Sequence, residues 1–228
     1  MRHVLVALVM TTAALLWPHR ALAQSAPDLS GNWIRGGGPV VFSKWQFTET
    51  GERRFKSYDF MKDDPAYECI AASWSRAWMN PNVLVRITQA ADSVRLQHEF
   101  MDIDRRVPLV NPAIPVPKRS ALIPKMPTLG RSAAWYDGDA LVIDTVGIPD
   151  GWMATMEQWA GLPQSPQMHT VERLRRSGDA LTIEMTHFDP AYYRTPVVVT
   201  IPYRRTDWEL MPYGCDPKEA RVVAPSPR

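Results

Sequence analysis

Several patterns that commit a chain to a known chemistry are missing from these 228 residues. The only two cysteines, Cys69 and Cys215, cannot by themselves form a structural zinc site, and no Cys-x-x-Cys pair suggests thiol redox catalysis. No Gly-x-Ser-x-Gly motif is present, which argues against a serine nucleophile. Gly36-Gly37-Gly38 lacks the strand, spacing and helix of a dinucleotide-binding loop. The sequence therefore predicts no cofactor.

Long apolar runs are absent except at the start of the chain. Residues Met1 to Ala23 combine an early Arg2, an apolar stretch from Val4 to Trp17, and an Ala21-Leu22-Ala23 ending. This pattern is typical of a cleaved signal peptide and is too short for a permanent membrane span. We therefore expect an exported protein, periplasmic or secreted, with no stable membrane span after cleavage. The alternative is a retained N-terminal anchor helix.

The mature chain also lacks an excess of either charge. The 26 basic and 24 acidic residues become 24 of each once Arg2 and Arg20 leave with the leader, which has no acidic residue. Nucleic-acid binding depends on clusters of Lys and Arg that release counterions from the phosphate backbone. A nucleic-acid partner is therefore not expected, and the oligomeric state is left open.

Export also bears on the two cysteines and on domain organisation. An even pair of cysteines in an exported chain predicts a Cys69–Cys215 disulfide, which would close a loop of about 146 residues.

After cleavage roughly 205 residues remain, which suits one domain. We assign residues 24–216 to that domain and predict that residues 217–228, with three prolines, form a disordered tail.

Two related hairpin patterns indicate the fold. Trp135 to Thr145 contains a tight Asp-Gly turn, and Ser177 to His187 repeats the pattern, so both predict antiparallel hairpins with Asp/Gly turns. We predict a mainly β fold, a single antiparallel up-and-down barrel that ends in a strand at Trp208–Tyr213. One short helix is expected within Thr48–Asp64. The long segments Pro108–Pro127 and Gly147–Met168 are expected to form a mouth loop and a lid or pocket wall, respectively.

Three histidines remain after the leader, and strand alternation assigns two of them to the barrel interior. His98 shares a face with Leu96 and Phe100, and His187 shares one with Met185. Each could be a general base, a metal ligand or a hydrogen-bonded core residue. Their scattered positions lack the short spacing of a zinc site, so a metal-free pocket is favoured.

The segment from His169 to Arg176 carries the strongest candidates for acid–base chemistry. Glu172 falls on the inward face with Leu174, where a carboxylate needs a partner such as Arg105 or Arg106. That pair could be catalytic or could simply brace the barrel. His169 lies on the opposite face at the mouth end and is the first choice as acid or base. Asp144 could orient a histidine or satisfy local backbone donors.

A set of short strings resembles a large family of exported bacterial proteins of lipocalin-like appearance, mostly without assigned function. The strings are Trp135 to Thr145, His169 to Arg176, Leu181 to Glu184, Asp189-Pro190 and Tyr213-Gly214-Cys215. The resemblance implies a lipocalin-like β-barrel whose hallmark is the region of His169, Glu172 and Arg173, and it implies no reaction. The chain departs from the family pattern around Gly151–Gln167.

Two functions follow from these residues. The first is an exported enzyme that acts on a small aromatic or polycyclic molecule in the barrel cavity, as a lyase, isomerase, cyclase or hydrolase. Its catalytic residues would be His169, Glu172, Asp144 and His98, and its substrate-binding residues would be Arg105, Trp135, Trp152, His187 and Tyr192. The alternative is a non-catalytic binding or carrier protein for an apolar small molecule. Several inward ionisable residues favour the enzyme.

Overall fold

The computed structural model describes residues 26–82, 84–114, 126–154 and 161–222. Its strands are β1 (Gly31–Arg35), β2 (Val41–Phe42), β3 (Leu84–Gln89), β4 (Ser93–His98), β5 (Ile103–Pro108), β6 (Arg131–Asp137), β7 (Ala140–Val146), β8 (Gly151–Ala154), β9 (Leu162–Gln164), β10 (His169–Ser177), β11 (Ala180–Phe188) and β12 (Val197–Thr206). Its helices are α1 (Glu49–Lys56), α2 (Phe60–Asp63), α3 (Trp74–Met79) and α4 (Pro217–Val222).

The strands form a nearly closed barrel. Nine of them follow one antiparallel path in the order β5, β4, β3, β1, β12, β11, β10, β7, β6, and β2 pairs with β12 beside that path. Strands that are close in the chain are mostly neighbours in the sheet, and β1 meets β12 with Trp33 opposite Arg205. The predicted up-and-down antiparallel barrel is confirmed.

The seam of the barrel lies between β5 and β6. An odd number of alternating strands leaves the two end strands of the path parallel, and here they share one parallel bridge between Leu109 and Ala134. The Val110 N–H donates to the Ala134 carbonyl over 2.8 Å. Parallel neighbours need a crossover connection instead of a hairpin. The proline-rich segment predicted as a mouth loop is this connection, and its residues 115–125 lie outside the described residues.

Both predicted hairpin turns are present. Gly138 and Gly178 have φ of +59° and +61°, which is the left-handed conformation that a two-residue turn with glycine first requires. The register then places Asp137 opposite Ala140 and Ser177 opposite Ala180. These tight turns fix the alternation of inward and outward side chains along β6, β7, β10 and β11.

The helical part of the chain differs from the prediction. Thr48 caps α1 by accepting a hydrogen bond from the Gly51 N–H, but the helix ends at Lys56. Asp59 then caps α2, so the expected single helix is interrupted and restarted by a second capping residue. The sequence analysis missed α3, which begins at the capping residue Ser73.

The C-terminal segment corrects two further expectations. Trp208–Tyr213 is not a strand, because the Met211 and Tyr213 N–H groups donate to the carboxylates of Glu99 and Asp102 instead of to a neighbouring strand. The tail is helical over α4, which packs against a turn at Pro65–Glu68. Residues 223–228 of the predicted tail and residues 1–23 of the predicted leader lie outside the described residues.

The predicted disulfide between Cys69 and Cys215 is confirmed, with a Cα–Cα distance of 5.8 Å. It joins the chain between α2 and α3 to the C-terminal segment just before α4. The helices of the described segments are all too short or too polar to cross a bilayer.

Candidate functional site

Helix α3 lies inside the mouth of the barrel. Five of its six residues are buried. Hydrogen bonds that hold the helix in place include those from the Oγ of its capping residue Ser73 to the Met153 carbonyl (2.5 Å), from Trp74 Nε1 to the Leu129 carbonyl (2.9 Å), and from the Tyr203 hydroxyl to the Trp78 carbonyl (2.6 Å). The predicted reaction chamber inside the mouth is therefore filled by the protein's own helix.

The centre of this interior is a buried ion pair. Arg105 Nη2 and Nη1 donate to the two Glu172 carboxylate oxygens over 2.7 and 3.0 Å, and the two side chains are 1% and 0% exposed. Trp78 Nε1 of α3 donates to the same carboxylate over 2.7 Å. The guanidinium also donates to Ser132 and Thr145 and stacks on Trp74, with 3.6 Å from Cζ to the ring centroid.

These contacts favour a bracing role for the pair. The predicted partnership of Glu172 with Arg105 is confirmed. The predicted use of Arg105 to hold a substrate oxygen stays a prediction, since most of its guanidinium contacts Glu172, two hydroxyls and Trp74 while its Nε has no hydrogen-bond partner among the described residues. The pair has the geometry of a brace that links β5, β10 and α3.

His187 and His98 are buried in the same interior. His187 forms hydrogen bonds with Ser75 of α3 (2.8 Å) and Thr170 (3.0 Å). His98 packs edge-to-face on Trp78 at 4.6 Å, and neither of its ring nitrogens has a hydrogen-bond partner among the described residues. Burial lowers the pKa of each histidine to about 3, and the charge of Arg105 adds to this for His98. Burial thus favours the neutral form of both imidazoles, and their predicted catalytic and substrate-binding roles stay predictions.

We expect folding stability to fall in mild acid because these two rings must stay neutral to stay buried. Their folded-state pKa of about 3 lies below the usual 6.5, so their stabilising contribution is complete above pH 6.5 and is lost as pH falls toward 3. Each ring should therefore lower the free energy of unfolding by about 2 kcal/mol when the pH falls from 8 to 5. Urea unfolding at the two pH values measures the change.

His98→Leu is the matched variant for this prediction. It removes one buried titrating ring and breaks no side-chain hydrogen bond to a described residue. The variant should lose about 2 kcal/mol less stability than the wild type over the same pH interval. All other titratable groups are common to both proteins, so their contributions cancel in the difference. The same pH dependence in both proteins would refute the prediction.

His169 lies on the outer face of the barrel. Its Nε2 contacts Asp144 Oδ1, and its ring stacks on Phe188 with 5.6 Å between centroids. The Asp144 side chain is 4% exposed and the His169 side chain is 36% exposed. A buried carboxylate that positions a more exposed imidazole is the usual pairing of an orienting group and a general base. Asp144 therefore has the position that its predicted orienting role requires.

The barrel wall divides the four predicted catalytic residues. Glu172 and His98 point inward, whereas Asp144 and His169 lie outside, because residues an odd number of positions apart in a strand face opposite sides. The prediction that all four converge in one enclosure is therefore wrong. A catalytic role for the outer pair stays a prediction.

The three aromatic side chains that were predicted to bind a substrate do not all lie together. Trp135 pairs with Val142 in the register of β6 and β7 and belongs to the outer face. Trp152 is buried, with the Arg54 guanidinium 4.2 Å from its ring centroid and the Tyr58 ring edge-on at 4.7 Å. The Tyr192 hydroxyl donates over 3.0 Å to Asp150, the carboxylate that Arg54 also contacts, so Trp152 and Tyr192 border the same charged pair. A joint role of the three aromatic side chains around one ligand stays a prediction.

A cleft with a volume of about 340 Å³ opens at the barrel mouth beside the β8–β9 hairpin. Small-molecule sites have volumes of roughly 300–1,000 Å³. Its buried lining residues include Ala72, Trp152 and Gln164, and its more exposed side includes Lys62 and Ile70. The remaining lining residues are Arg54, Asp63, Pro65, Ala71, Thr128, Pro149, Asp150 and Gly151.

Sequence reasoning missed most of this cleft. Its lining residues come from segments far apart in the chain, and of them only Trp152 was a predicted site residue. One useful signal was present, because the excursion Gly147–Met168 was expected to form a lid or wall. Its described part forms β8 and β9, which supply Gly151, Trp152 and Gln164 to the cleft. Residues 155–160 of the excursion lie outside the described residues.

Within the described ranges, no group of three or more His, Cys, Asp or Glu side chains is placed to hold a metal ion. No family model and no curated protein sequence matches this chain.

Several solved structures are similar to the barrel at low sequence identity. The REP1-NXSQ fatty acid transporter has a TM-score of 0.39 and 16% identity, covering 80% of this chain and 98% of that chain. The fluorescent protein UnaG has a TM-score of 0.35 and 13% identity, covering 78% of this chain and 97% of that chain. The zebrafish ileal bile acid-binding protein, complexed with cholic acid, has a TM-score of 0.35 and 10% identity, covering 78% of this chain and 98% of that chain.

Proposed function

We propose that this protein binds a small molecule, and that the ligand occupies the cleft at the barrel mouth. The observation that carries the proposal is a cleft of about 340 Å³ that combines a buried apolar wall with a few polar groups. Ala71, Ala72 and Trp152 supply buried apolar surface. Such a combination is typical of small-molecule sites, where apolar contacts give affinity and the polar groups orient the ligand.

The charges around the cleft support a ligand with both polar and apolar parts. Arg54 contacts Asp150 at 3.3 Å, and Lys62 contacts Asp59 at 3.0 Å. The lining thus has two cations and two carboxylates, since Asp63 and Asp150 also belong to it. A lining without excess charge favours binding through shape and hydrogen bonds over attraction of one strongly charged group.

Gly151→Leu should weaken the binding of the neutral fluorescent probe N-phenyl-1-naphthylamine by at least about tenfold, because the added side chain fills the space that the aromatic probe needs. The backbone φ angle of Gly151 is not positive, and the nearest atom to an added Cβ would be Gln164 Nε2 at 3.6 Å. The substitution therefore needs no strained backbone. Fluorescence titration of the folded variant measures the dissociation constant.

Thr182→Leu is the matched control for the binding experiment, since it adds the same side chain at an exposed position of β11 beside the turn at Gly178. It should bind the probe as the wild type does. If both variants bind with unchanged affinity, the cleft is not the binding site and the proposal fails.

An acid–base enzyme is the second candidate. The contact between Asp144 and His169 on the outer face favours it, because this pair has the chemical parts of an oriented base. If the protein converts an aromatic compound chemically, and if this activity is lost in His169→Gln but kept in Gly151→Leu, the result would support the enzyme function. Recovery of the bound compound unchanged supports the binding protein.

We also propose that residues 1–23 are cleaved and that the protein works outside the cytoplasm. The leader pattern is the main support, because it has the parts of a secretory signal. The Cys69–Cys215 disulfide is compatible with this, since such bonds persist in oxidising compartments. N-terminal sequencing of the mature protein should begin at Gln24.

A further inference from the structure

The buried end of the cleft has a hydrogen-bond acceptor whose orientation is determined. Gln164 is 1% exposed, and its Nε2 donates to the carbonyls of Ala72 and Pro149, each over 3.3 Å. Carbonyl oxygens only accept hydrogen bonds, so the amide nitrogen must face these two groups. The other amide atom, Oε1, is then left without a hydrogen-bond partner among the described residues.

A donor on the same cleft is also without a partner. Arg54 uses Nη2 to contact Asp150 at 3.3 Å, while its guanidinium stacks on Trp152. Its Nε is buried and has no hydrogen-bond partner among the described residues. A buried polar atom that stays unpaired costs more than the hydrogen bond itself would contribute. Two side chains that line the cleft therefore have one acceptor and one donor without a hydrogen-bond partner among the described residues.

These two atoms discriminate between ligand classes. A carboxylate has oxygens that only accept, so it can accept from Arg54 but cannot donate to Gln164 Oε1, which stays unpaired. An ester can accept from Arg54 but has no hydrogen to donate. A carboxamide can do both, because its N–H donates to the glutamine and its carbonyl accepts from the arginine.

We propose that the cleft selects neutral ligands that carry a carboxamide or a similar adjacent donor and acceptor on an apolar body. This inference rests on the proposed binding function and specifies its ligand class. The carboxamide contacts Gln164 Oε1 and Arg54 Nε at the polar end, and the apolar body packs against Ala71, Ala72 and Trp152.

The test compares three probes of nearly the same shape: 2-naphthamide, methyl 2-naphthoate and 2-naphthoate, at pH 8. Each competes with the neutral probe N-phenyl-1-naphthylamine for the wild-type protein. The amide should bind at least about tenfold tighter than either of the others, because only the amide satisfies the buried acceptor. Because all three measurements use the wild type, the test does not depend on a variant that folds.

The possible failures are distinguishable. If the naphthoate or the ester binds as tightly as the amide or more tightly, the carboxamide inference is overturned. If Gly151→Leu weakens the binding of all three probes at the same time, the cleft is still the binding site. Binding of the probes that Gly151→Leu does not change overturns the proposed function itself. Gln164→Met, which removes the acceptor, should reduce the preference for the amide over the ester to within about twofold.

Discussion

Replacement of both Cys69 and Cys215 with serine should lower the free energy of unfolding by about 5 kcal/mol, by the chain-entropy relation for a closed loop of this length. The disulfide joins residues 146 positions apart, so it removes many conformations from the unfolded chain. An effect of this size is a large fraction of the stability of a typical domain.

Local packing also suggests that this disulfide is hard to replace. Neither α2 nor the turn at Pro65–Glu68 contains a buried residue, so the segment before Cys69 has little hydrophobic stabilisation of its own. The same segment supplies Lys62, Asp63 and Pro65 to the cleft. Loss of the disulfide should therefore loosen one wall of the cleft and weaken probe binding as well.

Urea unfolding of the double serine variant, compared with the wild type, measures the loss. The wild type in excess dithiothreitol is the control, and it should match the untreated variant, since both lack the same bond. A difference of less than about 1 kcal/mol between oxidised wild type and variant would show that the loop is held by other contacts.

The second large effect is expected at the buried ion pair. Arg105→Met should lower the free energy of unfolding by about 3–5 kcal/mol, because it leaves the Glu172 carboxylate buried without a compensating charge. Trp78 Nε1 would remain the carboxylate's hydrogen-bond donor, and α3 would lose the cation–π contact between Arg105 and Trp74.

A double-mutant cycle separates the charge from the packing. In Arg105→Met/Glu172→Gln the side chain at position 172 is neutral and can still accept from Trp78, so the double variant should be more stable than Arg105→Met alone. Urea unfolding followed by tryptophan fluorescence measures all four proteins. Independent, additive losses from the two substitutions would contradict the interpretation of a coupled brace.

The parts of the fold that the sequence predicted correctly depend on neighbours in the chain. The turns at Gly138 and Gly178 need a left-handed residue, and alternation along a strand assigns a side chain to one face. The same alternation identified Glu172 and His187 as inward. Thr48 could be identified as a helix cap because the group that it accepts from lies only three residues away.

The candidate site was predicted less well, and the reason is physical. Alternation gives the face of a residue but not what covers that face. The alternation pattern already placed His169 and Glu172 on opposite faces of their strand. Two side chains can share an active site only if they lie on the same side of the barrel wall. The pattern also does not show that a six-residue helix fills the mouth, because α3 is held there by residues such as Leu129, Met153 and Tyr203.

The amino-acid sequence by itself determined a barrel of antiparallel hairpins, the inward position of Glu172 and the pairing of the two cysteines. These follow from local turn geometry, from the two-residue period of a strand and from the presence of a single pair of thiols. Only the tertiary structure decided that α3 occupies the barrel mouth, that Asp144 and His169 meet on the outer face, and that Arg54 and Gln164 border one cleft. Those contacts join segments far apart in the chain, and their energies depend on packing that no local pattern contains.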